Sequence, residues 1–595
     1  MRQNYKKDEN NANVGKRETI KRILLYCAQY KKDVVIISIL AVISSLCKTV
    51  IPIFTEKAID VDIANKNVRG LIVTVSIAIG LSIIWGIIVI IRDHVTIKMA
   101  NDVVYRARSE TYENILSLPL GFFDSRPSGR IITRVINDCD KMKEITKSLT
   151  STLIPSLVFL VLIMVVMLVM NPILALSAFI VIPFLVFSSY FIIIKGYSNW
   201  ESFRKKESNF TAFVHEDYSG IRAIQSFGAE GETINESKRL LGEIESSWVK
   251  AVKRSDSFGI VINASQALGY VFLFLTAVYW LPEGKSTVGE LLAFITYIGY
   301  FWQPIRSLAS LYNNLVNNLS AAARVFEMMD EKSDIEESKD AVELKAKSGD
   351  VEFRNVSFSY PDDEKTNIIE NLSFKTKGGE TIALVGPTGA GKTTIINLIA
   401  RFYDTVEGSV LIDGQDIKNV TFESLRQTVS VMPQDSVLFS GTIRENLLYG
   451  KTVSEEEMKE RIKELKLTSL IESLPNGYDT LIKDAALSSG QKQLISLART
   501  LIASPRVLIL DEATSNVDTR TEMMVQEGLK VLMKGRTSFI VAHRLSTIRN
   551  ADEIFVVGNK TIMEKGTHDE LMKIENGEYK KLYDSQFALV GAKNE

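Results

Sequence analysis

Residues 148–194 contain no Asp, Glu, Lys, Arg or His, a run of 47 consecutive positions. A bilayer core is crossed by about 20 helical residues, so a run of this length is two spans and not one. An all-soluble fold is thereby excluded. Asn171-Pro172 supplies the turn between the two spans, because Pro cannot continue a helix and Asn favours turns. Four further apolar segments are present: 34–55, interrupted by Lys48; 71–91; 257–282; and one from about 291 that contains Arg306. The mean hydropathy of +0.09 thus averages a six-span membrane half with a charged half.

Lys and Arg are distributed asymmetrically. The first 32 residues and the connectors 92–147 and 195–256 carry 29 of them, against four in the gaps 57–70, 171–172 and 283–290. Positive charge stays on the cytoplasmic side, so both ends and both long connectors are expected in the cytoplasm of a cell-membrane protein. The first 32 residues are polar and lack the apolar core of a signal peptide. Each connector is expected to be two helical arms of about 40 Å, with tips near 122–129 and 216–221. Net charge is −1, which argues against a nucleic-acid partner. Three widely spaced cysteines and four histidines indicate neither a disulfide framework nor a His-based metal site.

Beyond residue 320 the composition changes. Four parts are expected: a cytoplasmic N-terminal segment 1–32, a membrane domain 33–320, a charge-rich linker 321–349 and an α/β domain 350–595. The buried-strand pattern 381–385 leads into Gly386-Pro387-Thr388-Gly389-Ala390-Gly391-Lys392-Thr393, and Thr394 opens a helical segment. Strand, glycine loop and helix form the context of a phosphate-binding loop. The glycines let backbone N–H groups face phosphate, Lys392 neutralises β/γ charge, and Thr393 offers a hydroxyl to Mg²⁺. A second apolar strand, 507–511, ends in Asp511-Glu512. On the same sheet, beside the loop, Asp511 is placed to hold Mg²⁺ and Glu512 to act as general base toward water. His543 follows the apolar run 537–542 and is a candidate γ-phosphate contact.

Together with the stretch 487–491, Leu-Ser-Ser-Gly-Gln, these residues resemble the nucleotide-binding domain of an ATP-binding-cassette (ABC) transporter. Six spans followed by one cassette resemble a bacterial multidrug-exporter half-transporter. The resemblance implies an all-α six-helix membrane domain followed by an α/β P-loop cassette. It implies an ATPase that uses ATP and Mg²⁺ to export amphipathic compounds, drugs or lipids. Tyr360 matches the adenine-stacking aromatic, and Gln434 the glutamine that reaches Mg²⁺ and water. Ser488, Gly490 and Gln491 match the signature that binds ATP held by an opposite cassette, and Asp518, in 515–518, the loop crossing that interface. The two connector tips resemble coupling helices. Six spans and one cassette imply a second half-transporter as partner, alongside membrane lipids. The other reading kept open is an ATP-gated channel or sensory partner on the same scaffold.

Two departures stand out. Ser489 replaces the first signature glycine, and 481–486 is about two residues shorter than the family's stretch before the signature. With Glu512 and His543 intact, this resembles the competent subunit of a heterodimer, the form favoured over a homodimer. Arg306 is an intramembrane charge. It is read as a snorkel or a bundle-internal hydrogen bond in preference to an anionic headgroup site, and Lys48 and Gln266 carry the same ambiguity.

Overall fold

The computed structural model describes residues 15–284, 286–361, 366–433, 436–485, 487–511, 519–541 and 548–586. It divides into two compact units, one of residues 1–116 and 129–331, the other of Ser117–Ser128 and Lys332–Glu595.

The first unit is helical. Helices α1 (Lys16–Gln29), α2 (Lys31–Lys57) and α3 (Val68–Ser117) come first. At the first tip lie α4 (Leu120–Asp124), which groups with the second unit, and α5 (Ser128–Thr133), followed by α6 (Cys139–Lys147) and α7 (Ile154–Met170). The remainder are α8 (Pro172–Phe179), α9 (Ile182–Ser219), α10 (Ile221–Phe227), α11 (Glu230–Trp280) and α12 (Val288–Asp330). Four stretches among the described residues are long and apolar enough to cross a membrane: Lys31–Ile63, Val68–Ser117, Ser128–Met170 and Glu230–Trp280. Pro172–Ser188 is apolar but shorter.

The long uncharged run breaks at Asn171. Its backbone is extended, and its Oδ1 accepts from the N–H groups of Ile173 and Leu174, both at 3.2 Å. Pro172 takes the first helical position, where its missing N–H costs nothing. A second break, at Ile180–Val181 ahead of Pro183, has no counterpart in the sequence reading. The N-terminal segment also differs from its expected polar character. Residues 16–29 fold into α1, which packs Ile23 and Cys27 against Val104, Met142, Val325 and Phe326. Arg22 pairs with Asp330, and Asp138 takes a two-pronged bond of 2.8 Å per prong from Arg324. Arg306 donates to Asn263 and Gln266 at 3.4 and 3.3 Å, so its contacts are the bundle-internal kind.

Both connectors are helical arms with a short helix at the turn. The first tip is α4; the second is α10, displaced along the chain from the expected 216–221. Helix α10 has no buried residue, and Phe227 at its end is 87% exposed.

The second unit holds two sheets. The smaller has order β2-β1-β4-β5: β1 (Val351–Phe358), β2 (Ile369–Lys375), β4 (Glu407–Ile412) and β5 (Gln415–Asp416), all antiparallel. The larger has order β10-β9-β3-β8-β7-β6. It comprises β3 (Thr381–Val385), β6 (Val429–Met432), β7 (Val507–Asp511), β8 (Thr537–Val541), β9 (Glu553–Gly558) and β10 (Thr561–Gly566). Only β10 runs antiparallel to its neighbour. Its central strands are continuous apolar runs, as a parallel sheet covered on both faces requires, and separate cores pack around Leu508 and Leu510 and around Ile509 and Phe539.

Asp413, in the turn between β4 and β5, ties the chain entering this unit. It accepts from the backbone N–H groups of Lys347, Ser348, Gly349 and Asp350 at 2.6–3.1 Å, and from Ser348 Oγ at 2.6 Å. Burial alone would raise its pKa, but these hydrogen bonds hold it below the usual carboxylate value. Its stabilisation is therefore present above the ordinary Asp range and lost as pH falls through the lowered native value. Asp413→Ala should cost about 1–3 kcal/mol at neutral pH. Thermal unfolding of the purified chain followed by fluorescence should show the gap to wild type narrowing in acid, toward about pH 4 and below. A gap that stays constant with pH would refute the assignment.

Candidate functional site

Strand β3 carries the glycine loop out of the sheet. Gly386 has φ +150°, and a Cβ there would lie 2.2 Å from the carbonyl oxygen of Val557 on β9. No side chain fits, so the loop can leave the sheet only as glycine. Gly389 and Gly391 also have left-handed backbone, with φ +83° and +103°, and Gly391 caps a helix, α13 (Lys392–Ile399). Lys392 is only 7% exposed, and its Nζ donates to the carbonyls of Gly386 at 2.7 Å and Pro387 at 3.0 Å. Thr393 is exposed, and Thr394 is buried. The N–H groups at the start of α13 and its positive dipole end face the loop, which suits phosphate.

The ends of the parallel strands explain why these motifs converge. Leu384 on β3 is level with Val541 on β8, Val541 with Asp511 on β7, and Leu510 with Met432 on β6. All four strands end at one edge, the edge where the glycine loop emerges. In sequence, Gln434 follows β6, Glu512 follows β7, and His543 follows β8. Gln434, Glu512, Asp518 and His543 themselves lie outside the described residues. The sequence reading puts Asp511 on the same sheet as the loop strand, and the sheet holds both: β8 lies between them, so β7 is two strand spacings, about 10 Å, from β3.

Tyr360 is half-buried. Its hydroxyl shares a 3.0 Å hydrogen bond with Thr394 Oγ1 on α13. Its ring stands perpendicular to that of Tyr403, with centroids 5.1 Å apart. Tyr403 Oη in turn donates to Asp124 Oδ2 at 2.7 Å, in the tip segment Ser117–Ser128 that groups with this unit. A Cβ on Gly121 would sit 2.8 Å from Tyr403 Cε1, so the tip backbone lies against the ring. The sequence reading missed Tyr403. Its only local signal is an aromatic at the end of the loop helix, which means nothing until the tip is in place.

Ser488 and Gln491 have a local role that motif reading did not anticipate. Ser488 caps the helix Ser489–Ala503: its Oγ accepts from the N–H of Gln491 at 3.3 Å, and its own N–H donates to Gln491 Oε1 at 2.9 Å. Ser489 is the first residue of this right-handed helix, so the backbone there does not require glycine. Gly490 is buried.

Residues 34–305 match the family model "ABC transporter transmembrane region", and residues 369–515 match "ABC transporter". An uncharacterized ABC transporter ATP-binding protein, YfiC of Bacillus subtilis (strain 168), is 37% identical over 572 residues, covering 96% of this chain and 94% of that protein. An ATP-dependent lipid A-core flippase of Syntrophus aciditrophicus (strain SB) is 36% identical, covering 82% and 80%. Among solved structures, a bacterial Atm1-family ABC exporter with ATP bound aligns at TM-score 0.74 and 28% identity, covering 93% of this chain and 98% of that one.

The close approach at Gly386 makes a direct prediction. Gly386→Ala should destabilise the nucleotide-free chain well beyond Gly389→Ala. At Gly389 an added methyl meets nothing within 4 Å, so that change costs only the left-handed strain, about 1–2 kcal/mol. Thermal unfolding without nucleotide checks this, and equal losses for the two variants would contradict it.

Proposed function

We infer the working cycle from one premise: this chain belongs to the ABC transporter family, as an exporter-type chain carrying membrane region and ATP-hydrolysing cassette together. It is a multi-pass membrane protein whose ATP hydrolysis drives transport. On our reading it moves amphipathic compounds, drugs or lipids, out across the cell membrane. It does so as half of a dimer that holds two ATP molecules between its cassettes. The supporting observation is the single sheet edge where the glycine loop emerges and where β6, β7 and β8 end.

The residues then have these roles. The loop of Gly386, Thr388, Gly389, Ala390 and Gly391 wraps the phosphates with backbone N–H groups. Lys392 supplies positive charge to them, and Thr394 holds Tyr360, whose ring takes the adenine. Stacking of this kind is worth roughly 1–3 kcal/mol and is tolerant of base identity. Thr393, Asp511 and Gln434 are oxygen donors of the hard kind that suits Mg²⁺, and the exposed hydroxyl of Thr393 fits that use. Bound there, the ion would neutralise charge on the phosphate oxygens. Glu512 takes the proton of the attacking water, and His543 contacts the γ-phosphate.

A dimer is supported by two features. The chain has one glycine loop and one signature, and the signature of this family serves the opposite cassette. Around the second tip Tyr218, Ile221 and Phe227 are all exposed, an apolar group of the kind a partner covers. We propose that the partner is a different half-transporter. Ser489 adds a hydroxymethyl group at the exposed start of the helix Ser489–Ala503, where a phosphate of the second site must approach. The partner's signature, at Ser488, Gly490 and Gln491 equivalents, then completes this chain's competent site, with Asp518 crossing between them.

Two experiments test this. Glu512→Gln should retain ATP binding yet lose hydrolysis and transport in proteoliposomes by more than a hundredfold, the scale of a removed general base. Transport that survives the change would refute the role given to Glu512. The chain expressed alone should give little ATPase activity, and co-expression with a second half-transporter should restore it. Stable homodimers with full activity would overturn the heterodimer.

A further inference from the structure

Lys48 interrupts the first membrane segment with a charge that the transport cycle described above does not use. Its Nζ donates to Gln303 Oε1 at 2.7 Å. Three rings surround it: Phe159 and Tyr300 with centroids at 4.7 Å, and Trp85 at 5.5 Å. Four helices build this cage, α2, α3, α7 and α12. The rings and the amide hold the ammonium in place but do not neutralise it, and no carboxylate pairs with it among the described residues.

A cavity of about 170 Å³ opens beside it. Its walls include Lys48, Arg92, Gln303 and the serines Ser44, Ser45, Ser156 and Ser307, and no Asp or Glu. Arg92 is paired with its neighbour Asp93 at 2.9 Å, which leaves Lys48 as the lining cation whose charge is not matched. Trp85, Val89 and Phe159 make an apolar wall. Arg306 is a different case, since it lies outside this cavity lining and, among the described residues, bonds to the amides of Asn263 and Gln266. A cation kept inside a membrane domain without a counter-charge is costly unless something that binds there repays it. Surplus positive charge, hydroxyl donors and an adjacent apolar wall together fit one class of ligand.

We propose that this cavity binds the anionic headgroup of a single-chain amphiphile, a carboxylate or a phosphate monoester, with Lys48 as the charge that selects it. The volume suits a headgroup and not a whole lipid, so the alkyl tail runs along Trp85 and Phe159. This names the substrate class of the exporter and rests on that reading of its function.

Trp85 makes the test direct, because a bromine atom on a bound tail quenches a nearby indole. The purified full-length chain is titrated with a brominated long-chain fatty acid, its methyl ester, a brominated alkyl phosphate and a brominated alkyl trimethylammonium. The Trp85→Phe variant identifies the signal that belongs to this site. The acid, the phosphate or both should quench at concentrations at least about tenfold below the ester and the cation, the scale of one charge-assisted hydrogen bond. Whichever anion binds tighter identifies the source. Lys48→Met should remove that preference, and Lys48→Arg should keep most of it. Equal affinity of the wild type for acid, phosphate and ester, or an unchanged preference in Lys48→Met, would overturn the proposal. The two readings fail separately. Quenching needs no hydrolysis, so binding without ATP-driven movement would sink export alone. ATP-driven transport indifferent to headgroup charge would sink this inference alone.

Discussion

The cassette depends on the side-by-side parallel alignment of β3, β8, β7 and β6. Matched register along these strands brings their ends to a common level. Parallel pairing requires a crossover between consecutive strands, so motifs more than a hundred residues apart in sequence arrive at one edge. The alignment also fixes where the glycine loop must turn. Leaving β3 beside β9, the backbone at Gly386 passes so near Val557 that only a residue without a Cβ can occupy it. That the glycine loop and these strand ends meet is therefore a consequence of sheet order before it is a matter of loop sequence.

A second physical thread runs from the loop to the first connector tip. Thr394, Tyr360, Tyr403 and Asp124 form a continuous series of contacts within one unit. Each link is modest: an aromatic pair is worth about 0.5–1.5 kcal/mol, and a hydrogen bond to a charged group about 1.5–3 kcal/mol. Driving a closed state from rarity to dominance takes about 5.5 kcal/mol, so no single link can supply it. The series is better understood as rigid gearing. A nucleotide base stacked on Tyr360 would bear on a ring that Thr394 already ties to the loop helix. Tyr403 extends that rigidity to the tip. In the proposed dimer, the energy for closure would come from contacts to the phosphates and to the second chain.

Much of this was legible in the sequence, because it rests on local rules. Asn171-Pro172 marks a helix break by its own chemistry, and the structure uses both residues for it. The spacing of Gly386 to Thr393 announces its loop in the same way. What was hidden depends on distant partners. Helix α1 reads as part of a polar segment because basic residues crowd the first 32 positions, although half of its own residues are apolar. Its few buried positions acquire meaning only against Phe326 and Met142. Tyr403 is an ordinary aromatic until Asp124 is placed beside it. The order of β8 between β3 and β7 cannot be deduced from strand patterns, because all three are short, largely apolar runs of the same length. At Ser488 and Gln491 the sequence pointed to nucleotide, and the structure adds a helix cap that the same two side chains make.

The intramembrane cations show why local reading reaches a limit there. From sequence, Lys48 and Arg306 were equivalent: single charges in apolar helices, each with a bland explanation. In the structure Arg306 reaches the amides of Asn263 and Gln266, the kind of contact that keeps a bundle in register. Lys48, besides its bond to the Gln303 amide, is held by three rings contributed by other helices. A ring face attracts a cation without cancelling its charge, so the field of Lys48 persists into the cavity beside it. A lysine needed only to hold helices together would be better served by an acid or by several carbonyls. The cage fixes the position of the ammonium and leaves its charge available, and that is the arrangement expected of a group that must attract an anion and then release it.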